Sequence, residues 1–114
     1  MNEVLKTIAA KYKDDIVHTA SELIQRNSQS LHEGEVAAYV QEKMKELGYD
    51  KVEVDGLGNV IGYMGQGDKI IAFDAHIDTV GVGNLNNWEA DPYEGYETED
   101  VIYGRGGSDQ EGGM

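Results

Sequence analysis

The sequence contains no cysteine and a single proline among its 114 residues. Without cysteine, neither a disulfide nor a thiolate metal site can form, so a transition metal must be held by His, Asp or Glu. No apolar run approaches the ~20 residues of a membrane-spanning helix. Residues 1–4 lack the basic and then apolar pattern of a signal peptide. We therefore expect a cytoplasmic protein that does not bind membranes.

Basic residues are also scarce, because 9 Lys and Arg stand against 22 Asp and Glu, a formal net charge of −13. A field of this sign repels nucleic acid backbones and anionic membranes, so we expect neither as a partner. It suits a protein that binds cations, although acidic charge also serves solubility alone. A chain of 114 residues allows at most one domain with a modest core.

Apolar periodicity predicts two helices in the first half of the chain. Residues 3–26 carry one apolar stripe with steps of three or four residues. The stripe consists of Val4, Ile8, Tyr12, Ile16, Ala20 and Leu23. The run Ser30-Leu31-His32-Glu33 is typical of a capping box, in which the Ser30 oxygen accepts from a helix amide and Glu33 reaches back. The second helix follows this box and ends at Gly48, where a left-handed cap is favourable.

Strands are predicted in the middle of the chain. Residues 51–54 alternate between polar and apolar, and residues 59–64 follow after a turn at Asp55-Gly56. The continuous apolar run at 70–73 favours a central strand that is covered on both faces. Residues 81–100 are rich in glycine, asparagine and acidic residues, which predicts a long loop.

His76 and Asp78 directly follow the predicted central strand. In an extended chain, residues i and i+2 point to the same face, so the two side chains project together from a strand end, where α/β sheets form ligand crevices. Histidine is a common metal ligand, and a carboxylate can hold its second ring nitrogen. The alternative is a surface histidine beside a helix-capping aspartate, and this tripeptide alone favours that alternative.

Asp109 lies within residues 104–113, whose sequence is GRGGSDQEGG. A P-loop is excluded because no Lys-Ser or Lys-Thr follows the second glycine, and the dinucleotide fingerprint fails because Asp109 takes the place of its third glycine. The glycines permit a sharp bend that directs one carboxylate into a cleft, and a plain turn is the alternative. A calcium loop that starts at Asp74 is excluded because Thr79 occupies the position of its required glycine.

The two motifs are accompanied by three further features of the sequence. In chain order, the whole series is DGLGNV at 55–60, AHIDTV at 75–80, Trp88, Asp91-Pro92 and the segment 104–113. The series resembles the N-terminal signature of the di-zinc peptidase family that includes aminoacylase, acetylornithine deacetylase and succinyl-diaminopimelate desuccinylase. Within that family it is most similar to the subgroup of selenium-metabolism hydrolases. The resemblance covers nearly the whole chain.

The resemblance implies that His76 binds one of two divalent metal ions and that Asp109 bridges both. Zinc is expected before cobalt or manganese, and Asp78 is implied as the active-site carboxylate behind His76. In this family the two metals polarise a scissile carbonyl and generate hydroxide from a bridging water. The resemblance also implies a cis peptide bond between Asp109 and Gln110. The parent protein is expected to be a homodimer that acts on a small amide or peptide substrate.

The chain departs from the family at Ala75, where many members have glycine, and at Glu111, where many have lysine. It also departs from the family in its length. The general base and the remaining ligands of the family follow the bridging aspartate, beyond Met114. We therefore expect residues 1–114 to form a partial catalytic domain of the α/β class, with two helices on a mixed sheet and no lid domain. The isolated chain is expected to lack activity, because no general base is positioned and two ligands make a poor zinc site.

A truncated, non-catalytic module that binds a metal or a partner is the competing hypothesis. An unfinished sheet edge invites association, and a module that binds one metal ion without catalysis is a further alternative. The other histidines, His18 and His32, are expected to be ordinary helix residues.

Overall fold

A computed structural model describes residues 2–114 and contains three α-helices and four short strands. The helices are α1 (Glu3–Lys11), α2 (Lys13–Ile24) and α3 (Gly34–Glu46). The strands are β1 (Lys51–Val54), β2 (Val60–Tyr63), β3 (Tyr96–Glu97) and β4 (Ile102–Tyr103). The α/β class predicted from the sequence is confirmed. In this described part, the helices are too short or too polar to cross a membrane.

The helix predicted over residues 3–26 is divided at Tyr12 into α1 and α2. The side chain of Asn2 caps α1 by accepting a hydrogen bond of 3.0 Å from a backbone amide. Tyr12 N–H donates to Ala9 O at 3.1 Å, which is the tighter pattern of a helix end. The second helix begins as Ile16 N–H donates to Tyr12 O at 2.9 Å. Because α1 buries no side chain, packing does not force the two pieces onto one axis.

The capping box predicted at residues 30–33 is wrong, because α3 starts in a different way. The helix begins at Gly34, and Ser30 Oγ donates to the Asp78 carboxylate at 2.5 Å instead of accepting from a helix amide. The Glu33 carboxylate accepts from Leu31 N–H at 2.8 Å, inside the turn. Leu31 has a positive φ of 72°, so the chain makes one more turn before the helix starts.

The strands predicted at 51–54 and 59–64 are confirmed as the antiparallel hairpin β1–β2. Lys51 pairs with Tyr63 at one end, and Val54 pairs with Val60 next to the turn. The predicted turn is closed by Asp55, whose Oδ1 accepts two backbone amides at 2.9 Å. The predicted end of α3 is also confirmed, since Gly48 has a φ of 82°.

The apolar segment 70–73 does not form the predicted central strand. Ile70, Ile71 and Phe73 are 92%, 80% and 95% exposed, and the segment has no regular secondary structure. A central strand needs a partner on each side, and no described strand pairs with this segment. The predicted mixed sheet is replaced by two separate antiparallel pairs, β1–β2 and β3–β4, with one isolated parallel bridge between Gln29 and Thr79.

The core lies where the end of α2 meets the C-terminal loop. Its most buried members are Leu23, Ile24, Val36 and Pro92. A Cβ atom at Gly104 would lie against Cγ2 of Ile24, so the absence of a side chain at Gly104 lets the helix and the loop approach closely. Ser21 Oγ donates to Gly95 O at 2.8 Å and fixes the same end of α2 on the preceding loop.

Ile24→Ala is expected to lower the free energy of unfolding by about 2–5 kcal/mol, because it leaves a cavity in the core. Ile24 is 1% exposed. Ile16→Ala on the same helix is the matched control, since Ile16 is 60% exposed and its truncation should change the free energy by less than about 0.5 kcal/mol. Urea denaturation followed by circular dichroism measures both. Equal losses in the two variants would contradict this placement of the core.

Candidate metal centre

Each motif segment is anchored to another part of the chain by a backbone hydrogen bond. Thr79 N–H donates to Ser28 O at 2.8 Å, so the chain that follows α2 runs beside residues 76–79. Arg105 N–H donates to Pro92 O at 2.8 Å, which ties the glycine-rich segment to the loop before it. The two motifs, which are far apart in sequence, meet where His76 Nε2 lies 3.5 Å from Asp109 Oδ1.

His76 lies between the two aspartates that the sequence singled out. Its Nδ1 is 3.2 Å from Asp78 Oδ1 and 3.0 Å from the Asp78 backbone oxygen. Its Nε2 is 3.5 Å from Asp109 Oδ1. All three side chains are accessible, and that of Asp109 is 86% exposed. The structure thus brings the three predicted site residues together, with His76 in the middle.

The surroundings of His76 assign its tautomer. Because two oxygens of Asp78 surround Nδ1, Nδ1–H is the donor and the lone pair of the neutral ring is on Nε2. This lone pair faces the Asp109 carboxylate, which is also only an acceptor when ionised. The two acceptors repel one another at 3.5 Å, and a cation or a proton between them removes the repulsion. His76 and Asp109 therefore form an acceptor pair that suits a cation.

Ser30 is a further member of the site. Its hydroxyl donates to Asp78 Oδ2 at 2.5 Å, and this hydrogen bond, followed by the nearby His76, lowers the pKa of Asp78 below its ordinary value. An ionised Asp78 is the form that accepts from Nδ1–H of His76. Sequence reasoning missed Ser30 because it assigned the residue to a helix cap, and no local signal links residues that are 48 positions apart.

The separation of the two donors matches that of two ligands of one metal ion. Ligand atoms about 2.0–2.1 Å from a tetrahedral zinc lie about 3.3–3.5 Å from each other, and His76 Nε2 and Asp109 Oδ1 are 3.5 Å apart. Within residues 2–114, no group of three His, Cys, Asp or Glu side chains is arranged to hold a metal. The donors fit a metal as a pair, whereas catalytic zinc normally takes three protein ligands.

The chain bends after Asp109 without a cis peptide bond. Every peptide bond within the described residues is trans, so the predicted cis bond between Asp109 and Gln110 is wrong. Gln110 instead has a φ of 75° and a ψ of −42°, which reverses the chain before the short 3-10 turn Glu111–Gly113. Gly113 N–H closes this turn on Gln110 O at 2.8 Å.

Glu111 is a buried carboxylate beside the site, at one of the two positions where the sequence differs from the family that it resembles. The residue is 3% exposed, its Oε1 accepts from Ser28 Oγ at 3.4 Å, and its Oε2 is buried without a hydrogen-bond partner. Burial raises the pKa of Glu111 to about 7, against a smaller lowering by Ser28. A Cβ at Gly106 would collide with this carboxylate, and the φ of 88° also favours glycine there.

Arg105 lines the cavity beside Asp109 and stacks on Trp88, which lies outside that cavity. The guanidinium carbon of Arg105 is 4.8 Å from the centroid of the Trp88 ring. Trp88 is fixed by a hydrogen bond of 2.8 Å from its Nε1–H to Val82 O and by edge-to-face contact with Tyr103. A cavity of about 20 Å³ is lined by Thr79, Val80, Arg105, Gly106 and Asp109. It has room for about one water molecule, so this cavity does not enclose a substrate.

No protein-family model matches the sequence, whereas several curated proteins are similar to it. "Uncharacterized protein YgeY" of Escherichia coli K12 is 50% identical over 106 residues, which cover 93% of this chain and 26% of YgeY. "Succinyl-diaminopimelate desuccinylase 1" of Alteromonas mediterranea is 29% identical over 100 residues, with 86% and 26% covered.

"Probable succinyl-diaminopimelate desuccinylase" of Staphylococcus aureus MRSA252 is 28% identical over 106 residues, which cover 86% of this chain and 25% of that protein. The chain thus spans about a quarter of the length of the curated relatives that it matches. Two of these three relatives are named as succinyl-diaminopimelate desuccinylases.

The contribution of Glu111 to the free energy of unfolding is expected to fall as the pH rises from about 4.5 to about 7. The folded-state pKa of about 7 lies above the ordinary value of 4.5, so the fold favours the protonated acid and is destabilised once it ionises. The loss should be on the order of 1–3 kcal/mol. Glu111→Gln should remove this loss and leave the contributions of other groups in place.

Urea denaturation at pH values of about 5.5 and 8 measures this loss of stability in the unsubstituted chain and in Glu111→Gln. The control is Glu99→Gln, an exposed position in the loop whose variant should keep the pH dependence of the unsubstituted chain. An unchanged pH dependence in Glu111→Gln would show that the carboxylate is not buried in solution.

Proposed function

We propose that this chain is the N-terminal part of a metal-dependent hydrolase that cleaves amide or peptide bonds in small substrates. The observation that carries the proposal is the setting of His76, which is held by Asp78 on one ring nitrogen and directs the other toward Asp109 at 3.5 Å. Similarity to proteins named as desuccinylases supports a hydrolase of the peptidase and deacylase type. A succinylated or similarly acylated small amine is the substrate class that these names suggest.

In this proposal, His76 and Asp109 are metal ligands, and Asp109 is shared between two ions. Oxygen and nitrogen donors suit zinc, and also cobalt or manganese. Metal ions held by these residues would supply Lewis-acid polarisation of the scissile carbonyl and activation of a water molecule. The chain's own contribution is to hold the donors in place, and its net charge of −13 favours the capture of cations.

Asp78 and Ser30 act as positioning residues behind the metal ligand. Asp78 accepts from Nδ1–H of His76, which keeps the lone pair on Nε2 and fixes the plane of the ring. Ser30 holds the Asp78 carboxylate from the other side at 2.5 Å. Such outer partners typically change metal affinity by about 10–100-fold when they are removed.

The 114-residue chain is expected to bind zinc weakly and without hydrolysis, because its two donors lack a third partner within residues 2–114. Its three histidines provide a direct readout in a long-range ¹⁵N spectrum of the rings. Zinc should shift Nε2 of His76, while Nδ1 of the same ring keeps its proton. His18 and His32 serve as internal controls and should respond only at much higher zinc concentration.

Substitutions separate the roles of Asp109 and Asp78. Asp109→Asn should weaken zinc binding most, and Asp78→Asn should weaken it by about 10–100-fold and allow zinc to reach Nδ1. Asp14→Asn, an exposed acidic position on α2, removes the same charge and should change nothing. The metal assignment is contradicted if zinc shifts the ring nitrogen signals of the three histidines alike, or if the Asp109 and Asp14 variants bind zinc equally well.

A longer protein tests the hydrolase itself. If the matching quarter of YgeY is replaced by this chain, the chimera should bind two zinc ions per chain and hydrolyse an N-succinyl amine. His76→Ala in the chimera should reduce the zinc content and abolish hydrolysis, whereas His18→Ala should do neither. Metal content by mass spectrometry and product release by chromatography are the measurements. A folded chimera with one zinc or none would contradict the proposed site.

A non-catalytic module that binds a partner is the second candidate. The exposure of Ile70, Ile71 and Phe73, at 92%, 80% and 95%, favours it, because an uncovered apolar segment is a ready contact surface. Under this function the chimera would fold without two bound metals, and the same chimera experiment therefore distinguishes the two candidates.

A further inference from the structure

We propose that a pocket in the loop 82–93 binds a small ligand with an apolar body and a positively charged amine. The pocket has a volume of about 440 Å³, within the usual range for small-ligand sites. Its walls are formed by Val82, Leu85, Trp88, Ala90, Asp91, Pro92 and Tyr93. The proposal does not depend on the proposed hydrolase function.

The walls of this pocket are held in place before a ligand arrives. Trp88 Nε1–H donates to Val82 O at 2.8 Å, which closes the loop on itself. Asp91 Oδ1 accepts from Tyr93 N–H at 2.9 Å, and Pro92 between them is fully buried. A pocket that is already ordered loses little conformational entropy when it binds a ligand.

The lining of the pocket determines the chemistry of the ligand. Aliphatic and aromatic side chains dominate it, and Asp91 is the one acidic or basic residue among the seven that form the wall. Asp91 is exposed, and one of its carboxylate oxygens accepts a hydrogen bond from the Tyr93 amide. The other oxygen is available to a ligand. Arg105 lies over Trp88 but lines the cavity of the candidate metal centre instead of this pocket.

The overall charge favours the same ligand. At a net charge of −13, the field of the chain attracts cations and repels carboxylates. An ammonium group can donate to the free oxygen of Asp91 in a charge-assisted hydrogen bond, while its apolar substituent lies against Trp88 and Leu85. A free amine and the amino terminus of a peptide share this chemistry.

Fluorescence of Trp88, the one tryptophan of the chain, reports directly on the pocket. Isopentylamine, isopentyl alcohol and isovalerate are suitable probes, because they share a branched apolar group and differ in charge. The amine should change the fluorescence saturably with a Kd about tenfold lower than that of the alcohol, and isovalerate should bind most weakly. Methylammonium, which lacks the apolar body, should also bind more weakly than isopentylamine.

Asp91→Asn should weaken the binding of isopentylamine about tenfold and leave the alcohol unaffected, since asparagine can still accept from the Tyr93 amide. Asp14→Asn is the matched control, because it removes the same charge on α2 and should not change the Kd of any probe. Leu85→Ala should weaken both the amine and the alcohol. These variants separate a local contact with Asp91 from the general field of an acidic protein.

L-Leucinamide stands for a peptide amino terminus in the same assay. Tighter binding of leucinamide than of isopentylamine identifies a peptide terminus as the ligand, and the reverse identifies a free amine. The proposal is overturned if the three isopentyl probes bind equally, if isovalerate binds best, or if no probe gives a saturable change. These comparisons on the unsubstituted chain decide the matter even if a variant fails to fold.

Discussion

The candidate site depends on how closely the end of α2 approaches the glycine-rich loop. Ile24, at 1% exposure, fills the space that a Cβ at Gly104 would need, and it also contacts the Cβ position of Gly107 at 3.3 Å. A side chain at Gly104 would push the loop away from the helix. Since Ser28 follows α2 and accepts from Thr79 N–H, this one packing contact sets the distance between the two halves of the site.

The same packing places two neighbouring carboxylates in opposite surroundings. Asp109 is 86% exposed and faces the lone pair of His76, whereas Glu111 is 3% exposed with one oxygen unpaired. Burial favours the protonated form of Glu111, whose pKa rises to about 7, while the exposed Asp109 remains accessible to a cation. Neighbouring acidic groups in unlike environments take different roles, and here the glycine-rich turn creates the difference.

Local patterns predicted the parts of the fold that local interactions determine. The hairpin β1–β2 was predictable because its turn is closed by Asp55, four residues or fewer from its partners. His76 and Asp109 were predicted as site residues from their motifs, and the structure places them 3.5 Å apart. The contact of Ser30 with Asp78 and the burial of Glu111 could not be predicted, since their partners lie 48 and 83 positions away. The break at Tyr12 was missed because an apolar stripe indicates a face and does not show whether anything covers it.

The uncovered segment 70–73 and the two-donor site each lack a partner within the described residues. A strand becomes regular when neighbours satisfy its backbone groups, and a zinc ligand pair becomes a strong site when a third ligand joins. Residues 2–114 supply neither. Because 70–73 leads directly into His76, pairing this segment into a sheet would also fix the strand end from which His76 and Asp78 project. Under the proposed function, strand pairing and metal binding are therefore coupled, and each stabilises the other.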